Sequence, residues 1–252
     1  MEKIVSRDNK LVKLAKKLFE DKKYRDATNL FVCESMRVVE QVIKNKIAPQ
    51  NIILSSQSKY IGKFSEYKEA VIVDHRVFES ISSLKNSDGV MGVFNKVKLN
   101  FELTKGNYII LDRIQNAGNL GTIIRTAVAF GIDGVVITND SVDIYNPAII
   151  RATMGSIFVI PIKFITSLAA AIDLFKKANF KVYASILNDK AVDIDRVNFS
   201  NKSNAMILGN EGNGIKIEDA KKCDEMVYIP INKTVDSLNV AVAAGIIIAK
   251  MK

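Results

Sequence analysis

The sequence predicts an α/β protein of two domains, and three observations carry that prediction. Short apolar runs of strand length, such as NYIILD at 107–112 and GVVIT at 134–138, alternate with stretches of helical spacing along the chain. A single polar segment ending in glycine, KLNFELTKG at 98–106, reads as a linker. The formal charge of +9 divides unevenly around it, with +7 in residues 1–106 and +2 in residues 107–252. The expected domains are therefore 1–98 and 106–252.

In the first domain, Leu11, Leu14, Ala15 and Leu18 recur at helical spacing, with Lys10, Lys13, Lys16, Lys17 and Lys22 around them. That pattern predicts an amphipathic helix with a basic outer face. The run Leu30-Phe31-Val32 precedes Met36, Val38, Val39 and Val42, which form a second helix. Ile52-Ile53-Leu54 and Val71-Ile72-Val73 read as buried strands, Val77 to Leu84 as a short helix, and VMGVF as a further strand. Helices and strands in alternation over this length make a small α/β domain.

The second domain opens with NYIILD, a continuous apolar run typical of a parallel strand covered on both faces. A helix follows from about Leu120 to Phe130, with Gly131 as its C-cap, and then the strand GVVIT. Further alternation comes from IFVIPI, a helix near 167–178, FKVYAS, AMILG, a helix near 215–222, MVYIPI and a last helix near 237–251. This is a mostly parallel sheet with helices on both faces, and ligands belong at the carboxyl ends of its strands.

Composition narrows the functional classes. Apolar residues make up 48% and charged residues 25% of the 252, as in ordinary globular proteins. The longest apolar stretches, such as 240–249, fall short of the ~20 residues that cross a bilayer. The opening MEKIVSRDNK lacks the apolar core of a signal peptide, and Cys33 and Cys223 are expected to be reduced. One histidine, His75, and no CxxC pair argue against a metal site. The expectation is a cytoplasmic protein without metal. A basic half suggests a surface for RNA or DNA, but lysines kept for solubility would give the same charge.

Three clusters carry chemistry. The first, QNAGNLGTIIRTAVAFG, leaves a strand and enters a helix. Asn119 can accept from free backbone N–H groups at the helix start, Gly121 permits close approach, and Arg125 lies one turn beyond it. Backbone donors with an arginine suit a phosphate, although an ordinary turn with a surface arginine has the same appearance. The second is ILGNEGNGI, with Gly209, Glu211, Gly212 and Gly214 directly after apolar residues. So many glycines suggest a backbone packed on a ligand or on another chain segment. The third is YIPINKTVDSLNVAVAAGIIIA, where Ser237 or Asp236 would cap a helix apolar nearly all round. Core packing explains that helix but not Ser237 and Asn239 before it.

In order, N-x-G-x-x-x-R, L-G-x-E-G-x-G and I-P-I with S-L-N-V resemble the three motifs of the SpoU (TrmH) family of RNA 2′-O-ribose methyltransferases, within the SPOUT superfamily. SVDIYNPAIIRATMGSIFVIPI, with Asn146, Arg151 and Ser156, is similar to the same family, and residues 6–43 resemble the substrate-binding domain of its ribosomal-RNA branch. The chain departs from the family pattern at Ser35, Asn116-Ala117, Ala148 and Ala241. The resemblance implies a parallel-sheet catalytic domain closed by a trefoil knot, a symmetric homodimer, and S-adenosylmethionine as methyl donor. It assigns Gly209, Ile229 and Leu238 to the cofactor, and Arg125, Asn119, Glu211, Ser237 and Asn239 to the catalytic site. Arg125 would grip a phosphate and stabilise the alkoxide forming at the ribose oxygen, because a guanidinium does not readily give up its proton.

The substrate so implied is structured RNA, with large-subunit ribosomal RNA preferred to transfer RNA. Two other classes stand beside this reading. An RNA-binding or assembly protein without catalysis would fail to bind S-adenosylmethionine. A nucleotide-dependent oxidoreductase would need a GxGxxG turn, and GNLG does not supply it.

Overall fold

The computed structural model describes residues 1–201 and 203–252, which gather into two compact units. Residues 1–98 with 143–158 make the first, and residues 99–142 with 159–252 make the second.

The first unit runs β1 (Glu2–Ile4), α1 (Lys10–Glu20), α2 (Lys22–Thr28), β2 (Leu30–Glu34), α3 (Met36–Lys44), β3 (Pro49–Ser55), β4 (Ala70–Val73), α4 (His75–Glu79) and β5 (Val90–Asn95). Its sheet has the order β1-β4-β3-β5-β2, with β5 antiparallel to both neighbours and the other pairs parallel. Asn9 starts α1 by accepting from Leu11 N at 2.8 Å, and Asp21 ends it and caps α2 through Tyr24 N. The buried stripe of α1 is Val12, Ala15 and Leu18, with Leu11 and Leu14 at its margin, one position round from the expected face. Lys10, Lys13, Lys16 and Lys17 remain in solvent. Burying a leucine such as Leu18 contributes about 1.5–3 kcal/mol, which anchors the basic helix to the sheet. Ser35, at the junction of β2 and α3, has φ 92, a conformation that costs a side chain but not glycine.

The second unit begins with β6 (Gly106–Leu111), α5 (Ala117–Phe130) and β7 (Gly134–Thr138). Residues 143–158, which include α6 (Pro147–Ala152), then pack with the first unit. Two features fix them there. Arg25, 3% exposed, donates from Nε and Nη2 to Asp143 Oδ2 at 3.0 and 2.8 Å. Phe31 stacks with Phe94 and Phe158, and Tyr145 packs tilted against it. Neither the ion pair nor the aromatic cluster joins sequence neighbours, so this excursion has no local signal.

The chain resumes with β8 (Ile162–Ile165), α7 (Leu168–Lys177), β9 (Lys181–Ser185), β10 (Val192–Asp193), β11 (Ser203–Leu208), α8 (Ile217–Ala220), β12 (Glu225–Tyr228) and α9 (Val240–Met251). Among the described residues the seven strands of this sheet are all parallel, in the order β10-β12-β9-β11-β6-β7-β8. The core includes Tyr108, Ile110, Ala171, Phe175, Val182 and Ile207. The run IFVIPI, expected as a strand, forms a 3-10 turn over Ser156–Phe158 and pairs only from Ile162. Met154 (φ 51) and Gly155 (φ 80) turn the chain just before it, and Pro161 has no N–H for a ladder. Among the described residues no helix is long and apolar enough to cross a membrane.

Candidate active site

Parallel strands deliver their following loops to one edge of a sheet. β6 and β11 are neighbours in register, Leu111 opposite Leu208, and the pairing continues one residue further, with Asp112 N donating to Leu208 O at 2.9 Å. β9 lies on the other side of β11, and β12 beyond β9. The loop before α5, the glycine loop after β11 and the segment after β12 therefore leave the sheet side by side.

Each loop is shaped from within. The helix of the first cluster, α5, starts earlier than expected. Its N-cap is Asn116, whose Oδ1 accepts from Gly118 N at 2.8 Å and Asn119 N at 3.1 Å. Asn119 thus stands in the first turn, with its side chain free of capping. Gly131 closes the helix in the left-handed conformation, φ 73, as expected. In the glycine loop, a Cβ at Gly209 would lie 2.6 Å from Ile215 N, so the loop packs on itself there. Gly214 has φ 60, and a bridge pairs Asn210 with Gly214. At the third loop, neither Ser237 nor Asp236 caps α9. Asn239 does, accepting from Ala241 N and Val242 N, because a turn at 233–234 and a bend at 235–236 carry the chain further before it coils.

One carboxylate ties the first two loops. Glu211 accepts from Gln115 N at 3.1 Å, Asn116 N at 3.0 Å and Asn119 Nδ2 at 3.1 Å. Partial burial pushes its carboxyl upward, but the donors from Asn116, its own backbone, Asn119 and Gln115 outweigh that and leave it below its usual value. Asn119 Oδ1 in turn accepts from Asn239 Nδ2 at 3.1 Å, which brings in the third loop. A chain of three side chains therefore spans the three clusters.

Two cavities open on this network. One, of about 440 Å³, is lined by Gly209, Glu211, Ile229, Ser237 and Leu238, with Ile186 and Leu187 from the end of β9. The other, of about 580 Å³, is lined by Asn119, Glu211, Ser237, Leu238 and Asn239. Volumes of about 300–1,000 Å³ hold small molecules, and walls of isoleucine and leucine between loop peptide groups suit a nucleoside. Gly209, Ile229 and Leu238 thus meet in the first cavity, and Asn119, Glu211, Ser237 and Asn239 meet in the second. Arg125 joins neither: it lies on α5 with its side chain exposed.

Sequence reasoning missed several participants. Arg113, at φ 54, donates from Nη2 to Asp112 Oδ2 at 2.7 Å and to Gly214 O at 3.0 Å, while Asn210 Nδ2 donates to Arg113 O at 2.9 Å. This pair locks the glycine loop to the end of β6. The readable signal was Asn116, an asparagine two residues before the pair Gly118-Asn119 and shortly after a strand's end. Arg113, Ile186 and Leu187 carry no local signature.

The chain is similar to known proteins along its whole length. The model of the SpoU rRNA Methylase family matches residues 106–249, and that of the MRM3-like substrate binding domain matches residues 9–92. The 23S rRNA (guanosine(2553)-2'-O)-methyltransferase RlmP of Bacillus subtilis (strain 168) is 30% identical over 254 residues, covering all of both chains. The AdoMet-bound rRNA methyltransferase from Sinorhizobium meliloti matches with a TM-score of 0.85 and 28% identity, over 99% of this chain and 97% of that one. The SpoU methyltransferase AviRb from Streptomyces viridochromogenes, in complex with AdoMet, shares the fold at a TM-score of 0.83 and 20% identity, over 96% of this chain and 97% of that one.

Proposed function

The chain belongs to the SpoU rRNA methylase family, and from that premise we propose that it methylates a ribose 2′-hydroxyl of large-subunit ribosomal RNA, with S-adenosylmethionine as donor. The observation that carries this reading is the Glu211–Asn119–Asn239 chain, which draws all three motif loops around two adjoining cavities. The full-length likeness to a 23S rRNA 2'-O-methyltransferase supports ribosomal RNA over transfer RNA. A ribosomal-RNA substrate supports a cytoplasmic location for the protein.

S-adenosylmethionine supplies the methyl group when bound. Gly209, Ile229 and Leu238 would hold it, through loop peptide groups and apolar walls in the 440 Å³ cavity. The ribose oxygen is a weak nucleophile while it keeps its proton. Arg125 grips the neighbouring phosphate and stabilises the developing alkoxide while the hydroxyl proton passes to solvent water, since the guanidinium stays charged and cannot take it. Asn119, Glu211, Ser237 and Asn239 position the reacting oxygen at the mouth between the cavities. Asn119 keeps a fixed amide orientation because Glu211 takes one end and Asn239 fills the other.

Arg125 faces solvent on α5, so a second subunit is needed to enclose it. α9 exposes Val242, and Phe130 at the end of α5 is 37% exposed, which supports a homodimer through these two helices. The knot belongs to the same reading, as the threading that brings residues 209–214 and 229–238 to one cavity. The test is to map 2′-O-methyl sites in ribosomal RNA from cells with and without the gene, beside transfer of labelled methyl by the purified protein. One ribose methylation lost in the deletion and restored in vitro is expected. RNA binding with no S-adenosylmethionine binding would make it an assembly protein instead.

A further inference from the structure

The stretch 146–151 takes no part in the two cavities described so far. In the first unit it forms one wall of a separate groove of about 320 Å³. The opposite wall is Lys16 and Phe19 of α1, and the floor comes from the segment after α4, including Ser80 and Ser83.

The groove has a built cationic end. Glu34 is 3% exposed, yet its carboxylate is fully partnered, accepting from Ser83 N at 2.9 Å, Ser83 Oγ and Ser87 Oγ at 2.8 Å, and Ser82 Oγ. Ser83 Oγ also accepts from Arg151 Nη1 at 3.1 Å. A buried carboxylate thus fixes one corner of the half-buried guanidinium through a hydroxyl. Among the described residues the other N–H groups of Arg151 have no protein acceptor. A guanidinium oriented in this way is prepared for an oxyanion, and the exposed Lys16 adds a second positive charge. Glu20 at the rim is the one carboxylate of the lining. Half-buried Phe19 and buried Pro147 supply apolar surface in the groove, beside the polar side chains of Ser80, Ser82 and Asn146.

A fixed guanidinium and an aromatic side chain that line one groove of about 320 Å³ match an unpaired nucleotide, with phosphate on the cations and base on the ring. We propose that this groove is a subsite for one unpaired nucleotide of the substrate RNA, its phosphate on Arg151 and Lys16 and its base against Phe19 and Pro147. The proposal rests on the RNA reading above and adds the place and form of one contact. It makes the first unit a reader of single-stranded shape rather than only a basic surface.

The test uses the full chain and a labelled single-stranded RNA of about a dozen nucleotides, with the same sequence as a duplex for comparison. Phe19→Leu, which keeps the apolar packing, should weaken single-strand binding about tenfold and leave the duplex unchanged. Arg151→Ala should weaken it and lower the slope of log affinity against log salt by about 0.7. Arg151→Lys should recover the slope without the affinity. In methyl transfer the Phe19 variant should raise KM and keep kcat. Parental single-strand binding in Phe19→Leu and Arg151→Ala would overturn the subsite, as would equal weakening of single strand and duplex. A parent chain that binds S-adenosylmethionine but neither RNA would overturn the RNA reading itself, and the subsite with it.

Discussion

Asn239 donates its side-chain amide to Asn119 Oδ1 across 3.1 Å, although 120 positions separate them in the chain. With Glu211 on the far side of Asn119, the contact makes the proposed methyl-transfer site a single hydrogen-bonded unit. Residues in one network are not energetically independent. Asn119→Ala and Asn239→Ala should each lower single-turnover transfer, and the double variant should lose less than the two losses combined. A coupling of about 1 kcal/mol is expected. Strict additivity in the double-mutant cycle would show that the contact does not serve the site.

The same unit is acid-sensitive. The donors around Glu211 hold its carboxyl below the ordinary 4.5, so the clamp is present above that value. It is lost as pH falls through the depressed folded value, when protonation removes the acceptor. Affinity for S-adenosylhomocysteine should therefore be flat near neutrality and fall only below the usual carboxylate range. Glu211→Gln should start weak and lack that acid limb. An identical acid limb in the glutamine variant would assign it to another group.

The glycine loop tolerates no side chain at its first position. In Gly209→Val the new Cβ would lie 2.6 Å from Ile215 N, backbone that cannot swing aside. Calorimetry should find cofactor binding abolished, with overpacking destabilising the fold by about 1–3 kcal/mol. Normal binding would place the cofactor elsewhere.

Arg125 separates chemistry from structure. Its side chain is exposed, so Arg125→Ala should melt like the parent and keep cofactor affinity. Removing a preorganised donor should nevertheless cost about 2.7–4 kcal/mol in the transition state. Arg125→Lys keeps the charge without the planar fork and should rescue little. Near-normal single-turnover rates in the alanine variant would remove Arg125 from the mechanism.

The ion pair that fastens residues 143–158 is expected to matter through its burial. In Asp143→Ala, Arg25 stays buried without its partner, and denaturant unfolding should show a loss of about 3–5 kcal/mol. Replacing both residues, Arg25→Met with Asp143→Leu, should recover most of that loss, because no charge is then stranded. A single variant as stable as the parent would mean that Arg25 reaches water.

Some of this was legible in the residues alone. The apolar runs of 107–112 and 134–138 announced parallel strands because both faces of such strands are covered, and Gly131 announced a helix end because only glycine enters the left-handed region without cost. Gly209, Glu211, Ile229 and Leu238 could be named because their motifs are contiguous in sequence. Other features required the tertiary structure. Whether Asn119 or Asn116 capped α5, and Asn239 or Ser237 capped α9, depended on where the preceding loop turned, and that was decided by partners such as Glu211. IFVIPI lost its strand to the turn at Met154 and Gly155, and Asp143 found Arg25 only across 118 positions. Local periodicity reports which face of a segment avoids water. Which distant group that face or side chain meets is fixed by the packing of the whole chain.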